Sequence, residues 1–227
     1  MNIRAVYLVG SCARRECFTP RVLDYLLFVN KVPPGYVYLV SAPGSRSIVL
    51  PEPSLTCNKL LNPVTGRASS IYSSRIWSEP KIHVYGISVG LRKYIEYDEV
   101  DLKHYLLYLW IMLRTGKRKY MRKHACKTLY ETLWLKYFVE HRDVLEYSWH
   151  NIVKSFKDND LVDYCFNILL RGHRPRGNTY YYILNYSEQE LDNISREYLG
   201  EKLKEAVWDI DFFRQTSPRI SEGAKVC

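Results

Sequence analysis

The sequence predicts an α+β protein in which an N-terminal mixed sheet with helices is followed by a C-terminal helical bundle. Three observations carry that expectation. Up to about residue 90 the apolar residues come in short β-branched or alternating runs separated by Gly and Pro, which is the pattern of strands. After Gly90 the apolar spacing lengthens to the three-and-four rhythm of helices. The charge changes at nearly the same place: residues 1–95 hold 12 Lys and Arg against 4 Asp and Glu, whereas residues 96–227 hold 21 against 20. The expected organisation is therefore an α/β domain over 1–95, a helical domain over 96–215 and a loose tail over 216–227.

The opening run IRAVYLV (3–9) reads as a strand ending at the Gly10-Ser11 pair, a tight turn. VLDYLLFV (22–29) reads as a buried second strand carrying one acid. Pro33-Pro34-Gly35 breaks the chain. The runs 36–41 and 46–50 flank Ala42-Pro43-Gly44-Ser45, a hairpin signal because Pro and Gly preset turn dihedrals. From Pro51 to Pro80 the chain is rich in Ser, Pro, Asn and Gly with little periodicity, which predicts a long loop. KIHVYGISV (81–89) returns to a strand pattern, with Lys81, His83 and Tyr85 on one face. Leu102, Leu106, Leu109 and Leu113 then mark one helix, and Leu129, Leu133 and Tyr137 another. Further helices are expected over 143–156 and 159–170, with a breaker loop at 171–178. A last helix is expected to open on a capping box at Ser187 and Glu190 and to run to about Phe213.

A chain of 227 residues with 47% hydrophobic residues has material for a sizeable core, which excludes a peptide hormone or a mini-scaffold. Its 25% charged residues argue against wholesale disorder. The six cysteines, Cys12, Cys17, Cys57, Cys126, Cys165 and Cys227, contain no CxxC or zinc-ligand spacing and read as reduced thiols. The N-terminus has neither a signal-peptide pattern nor a membrane span, so no membrane partner and a cytoplasmic location are expected. A net charge of +9, nearly all in the first 95 residues, favours a polyanionic partner.

The strongest local signal is VYLVGSCARRECFTPRVLDYLLFV (6–29). An apolar strand ending in GSxAR, with Gly10, Ser11, Ala13 and Arg14, is followed by Asp24 in the next strand. This resembles the DNA polymerase β-like nucleotidyltransferase superfamily, closely over about 25 residues and loosely to residue 95. The resemblance implies a nucleotidyltransferase-like domain over 1–95. Gly10, Ser11 and Arg14 would bind a nucleoside triphosphate, and Asp24 would be the catalytic and metal-binding carboxylate for Mg2+ or Mn2+. Such ions neutralise the phosphates and hold the attacking hydroxyl in line. The chain departs from the pattern at the first acid position, which is Val22, and at the third, where the resemblance would place an acid near Lys81 or His83. Its acids in the first 95 residues are Glu16, Asp24, Glu52 and Glu79, which leaves a two-metal site short of ligands.

A second feature is the basic stretch 115–127, with Lys117, Arg118, Lys119, Arg122 and Lys123, and Tyr120 available for stacking on a base. Arg174 and Arg176 form a smaller basic cluster in the loop RGHRPRG. These are the expected nucleic-acid contacts; a solvated helix face and a solvated turn explain them equally well. Arg118 and His124 are also similar to the Arg and His motif of HEPN ribonucleases. Two functional expectations follow. One is a nucleotidyltransferase-fold protein that transfers a nucleoside monophosphate to a nucleic-acid, protein or small-molecule acceptor, or that retains nucleotide binding as a degenerate enzyme. The other is a noncatalytic nucleic-acid-binding or regulatory protein, with a HEPN-like ribonuclease as a third reading.

Overall fold

The computed structural model describes residues 2–16, 22–30, 38–55, 58–62, 65, 67–88, 95–116, 123–171 and 177–200. The fold is α+β, and the chain divides into two compact units between Glu96 and Tyr97.

The N-terminal unit is built on a five-stranded mixed sheet. Its strands are β1 (Ile3–Val9), β2 (Leu23–Val29), β3 (Tyr38–Ala42), β4 (Ser45–Pro51) and β7 (Ile82–Gly86), in the spatial order β3-β4-β2-β1-β7. A small separate ribbon pairs β5 (Leu60–Asn62) with β6 (Arg67–Ser69). β1 lies antiparallel to both β2 and β7, and β3 antiparallel to β4, while β2 and β4 run parallel. The β3–β4 hairpin turns at Pro43-Gly44, where Gly44 takes the left-handed φ of 76° that its turn position requires. β7 is an edge strand, and Val84 and Tyr85 are 56% and 60% exposed.

The segment 51–80 departs from the expected loop. It contains a 3-10 turn (Glu52–Leu55), the β5–β6 ribbon and a nine-residue helix, α2 (Ser70–Ser78). Four serines in SIYSSRIWS hide the helical period from a hydrophobicity reading. Ser69 caps the helix, its hydroxyl accepting from Tyr72 N at 2.9 Å. Ser70, Ser73, Ser74 and Ser78 are all buried, and their small side chains allow close packing. Trp77 of α2 stacks on Phe28 of β2 at 5.9 Å, and Tyr7 of β1 meets both rings edge-on. These aromatics form the centre of this unit's core, each burying a large apolar area.

The second unit is helical: α3 (Glu99–Gly116), α4 (Lys123–His141), α5 (Trp149–Ser155), α6 (Asp160–Arg171) and α7 (Gly177–Leu199). The predicted leucines Leu102, Leu106, Leu109 and Leu113 on α3, and Leu129 and Leu133 on α4, are buried together with Ile183, Leu184, Leu191 and Ile194 of α7. Trp134 stacks on Phe138 at 5.4 Å and donates through Nε1 to Leu145 O at 2.8 Å. The helix expected over 143–156 is shorter at its start. Ser148 caps α5, accepting from Asn151 N at 3.1 Å.

Ser187 and Glu190 do not cap a helix. α7 begins ten residues before Ser187, and both residues lie in its interior. The Ser187 hydroxyl donates back to the Ile183 carbonyl at 2.8 Å, the mid-helix alternative open to a serine. Glu190 instead accepts from Lys136 Nζ of α4 at 2.7 Å. The expected continuation to Phe213 lies outside the described residues beyond Gly200.

The cysteines also differ from the reduced set expected. Cys126 and Cys165 are free, but Cys12 is disulfide-bonded. Spacing in sequence does not reveal which sulfurs the fold brings together.

Candidate functional site

The site implied by the GSxAR stretch lies where β1 ends. Val9 is the cross-strand partner of Asp24 on β2, so the last residue of one strand and the acid of the next are neighbours. The chain then turns through Gly10, at φ 76°, into the single-turn helix α1 (Gly10–Ala13). A Cβ placed on Gly10 would come within 2.8 Å of Asp24 Oδ2. The carboxylate of Asp24 thus leans over the backbone of the turn, and Gly is the residue that fits both the dihedral and the space.

The polar groups of this corner are directed at each other. Gly10 N donates to Glu79 Oε1 at 2.9 Å. Arg14 Nη1 donates to the same oxygen, and Arg75 Nη1 donates to Glu79 Oε2 at 3.0 Å. Arg14 also reaches Glu16 Oε2 through Nε at 2.6 Å. The Arg14, Glu16 and Glu79 side chains are at most 7% exposed. Burial by itself would push the Glu79 carboxyl upward. The guanidinium charges of Arg14 and Arg75, the Arg75 hydrogen bond and the Lys81 ammonium together outweigh it and hold the group below the ordinary 4.5. Lys81 Nζ itself donates to the backbone carbonyls of Trp77 and Glu79, at 3.0 and 2.6 Å.

Asp24 is held differently. Arg46 of β4 reaches its Oδ1 through Nε at 2.9 Å and Nη2 at 2.8 Å. The two are register partners across the parallel β2–β4 pair, and the Arg46 side chain is 60% exposed. Val22, at the first acid position of the resemblance, precedes β2 and is exposed. Ser11 is half-buried in α1, its backbone carbonyl accepting from Glu16 N at 2.7 Å. His83 packs its ring against Tyr7 at 5.3 Å.

The structure therefore brings Gly10, Ser11 and Asp24 to one corner and turns Arg14 inward to carboxylates. Glu79 and Arg46 are the residues that sequence reasoning missed. The Arg75–Glu79 spacing of four was a helical ion-pair signal, obscured by the serines around it.

A divalent ion at this corner would need convergent oxygen ligands. Val22 supplies none, the oxygens of Glu79 serve two arginines and an amide, and Asp24 Oδ1 serves Arg46. Among the described residues no group of three or more His, Cys, Asp or Glu is placed to hold a metal ion. The residues of the corner do not fit the two-metal centre that the resemblance implies.

Of the basic residues singled out, Lys117, Arg118, Lys119, Arg122, Arg174 and Arg176 lie outside the described residues, and Lys123 is the first residue of α4. The described cleft lined by Lys136, Glu140, Glu190, Arg196 and Glu197 in the helical unit mixes both signs, so it offers no preference for a polyanion. Among the described residues no helix is long and apolar enough to cross a membrane. No protein-family model matches the chain, and no curated protein matches it.

Proposed function

We propose that this chain is a degenerate nucleotidyltransferase-like protein that binds nucleic acid without carrying out nucleotidyl transfer. The reading takes its frame from the resemblance over residues 6–29 and its direction from one observation. The buried Glu79 carboxylate accepts from the Gly10 amide and from Arg14, two of the groups the resemblance assigns to a triphosphate. A phosphate entering there would have to displace an internal anion from its best partners.

The charge pattern supports the binding half of the proposal. All four acids of residues 1–95 pair with arginine: Glu16 with Arg14, Asp24 with Arg46, Glu52 with Arg4, and Glu79 with Arg14 and Arg75. The negative charge is thus answered locally, which leaves a cationic excess that includes the exposed Arg15 and Lys59. Such a surface attracts a phosphate backbone.

The test runs two assays on the same preparation. Each labelled nucleoside triphosphate is incubated with Mg2+ or Mn2+ and a nucleic-acid or protein acceptor, using the original chain and Asp24→Ala. The substitution removes a partly exposed ion pair and is expected to cost no more than about 1 kcal/mol of stability, so the variant should fold. No metal-dependent product is expected from either. Binding of a single-stranded oligonucleotide is expected to weaken steeply as salt rises, because bound counterions are released. Metal-dependent label transfer lost in Asp24→Ala would overturn the proposal in favour of a working transferase, and the absence of salt-sensitive binding would overturn its binding half.

A further inference from the structure

We infer that Cys126 and Cys165 form a disulfide that staples α4 to α6 in the helical unit, a covalent modification site independent of the Gly10 corner. The two free sulfurs lie 2.7 Å apart, within about 0.7 Å of a covalent S–S bond length. Neighbouring contacts keep the two helices in this register. The Tyr130 hydroxyl of α4 donates to the Val162 carbonyl of α6 at 2.9 Å. Tyr130 lies one helical turn beyond Cys126, and Val162 one turn before Cys165, so this bond fixes the helices next to the sulfurs. Cys126, Cys165, Tyr130 and Val162 are all fully buried. The chain already carries one disulfide at Cys12, so its cysteines are not uniformly held as thiols.

The chemistry balances with a low-molecular-weight disulfide as oxidant. A thiolate of one cysteine attacks the oxidant, releasing its first half as a thiol and leaving a mixed disulfide on the protein. The second cysteine then attacks the protein sulfur of that mixed disulfide and releases the other half. Two protein thiols lose two protons and two electrons, and the oxidant leaves as two thiols. Burial, with the Cys126 sulfur alongside, pushes the Cys165 thiol well above its ordinary range. Both cysteines are fully buried, so the bond, once formed, is shielded from reductants in solution.

The full chain is refolded with oxidised glutathione, its remaining thiols are alkylated, and it is digested with trypsin without reductant. Peptides 124–127 and 158–171 are expected to be recovered joined, at their summed mass less two hydrogens. The link should persist when folded protein is treated with reduced glutathione and be lost when denaturant is added. Recovery of both peptides as separate alkylated species, from protein in which Cys12 is bonded, would overturn the inference. So would a linkage of Cys126 or Cys165 to a different cysteine.

Discussion

Replacing Glu79 with glutamine is expected to destabilise the N-terminal unit by roughly 3 kcal/mol, the usual scale for removing one member of a buried ion pair. The amide is nearly isosteric, so the loss reports charge rather than volume. It removes the anion that balances Arg14 and Arg75 and weakens the acceptor of the Gly10 amide. Denaturant unfolding followed by the fluorescence of a variant that keeps Trp77 as its one tryptophan should show a lower midpoint with an unchanged slope. The pH dependence has a definite sign. Because the folded-state carboxyl of Glu79 titrates below 4.5, its contribution is present above that pH and is lost as acid carries the group through its lowered folded value. The original chain should therefore lose stability on acidification over that window, and Glu79→Gln should lose less.

Gly86→Ala is expected to be more damaging still. Gly86 sits at φ 80°, and a Cβ there would lie 1.9 Å from the Arg4 carbonyl oxygen and 2.7 Å from its carbon. These are backbone atoms of β1, so no side-chain rotation relieves the overlap. Ile87 N donates to that same carbonyl at 2.9 Å, and Ile87 O accepts from the Tyr7 hydroxyl at 2.7 Å. The end of β7 must therefore lift off β1 and take the Tyr7 hydrogen bond with it. The expected loss exceeds about 4 kcal/mol, in the range reserved for severe core and backbone lesions, and should appear as loss of cooperative unfolding or rapid proteolysis. Gly44→Ala is the matched control. Its φ of 76° is close to that of Gly86, but nothing lies within 4 Å of the added atom, so only the dihedral cost of roughly 1–2 kcal/mol applies.

The parts of this molecule that were legible in the sequence are those fixed by local pattern. Ile3–Val9 and Leu23–Val29 are apolar runs bounded by breakers, Pro43-Gly44 is a turn by chemistry, and the leucines of α3 and α4 recur at helical spacing. α2 was hidden because four of its nine residues are serines, which read as polar in the sequence yet are buried in the fold. The start of α7 was misplaced because Ser187 and Glu190 match a capping box in spacing while their side chains bond elsewhere, to Ile183 O and Lys136.

The candidate site was legible only in part. Gly10, Ser11 and Asp24 share a corner because β1 pairs antiparallel with β2, which sets Val9 opposite Asp24. The partner of Asp24 depends on β2 and β4 running side by side in parallel, a nonlocal pairing that local spacing does not encode. Glu79 reaches the same corner from the far end of α2, 69 residues from Gly10. A pattern of GSxAR followed by an acid thus identifies the frame, while the groups that decide its chemistry come from elsewhere in the chain.

The backbone amide of Gly10 reports on this account most directly. In 15N-labelled protein its resonance should move with the titration of Glu79 on acidification, and it should stay in place when magnesium and a nucleoside triphosphate are added at neutral pH. A saturable, magnesium-dependent shift of the Gly10 and Ser11 amides on adding the triphosphate would show a nucleotide in the place assigned to Glu79, and would contradict it.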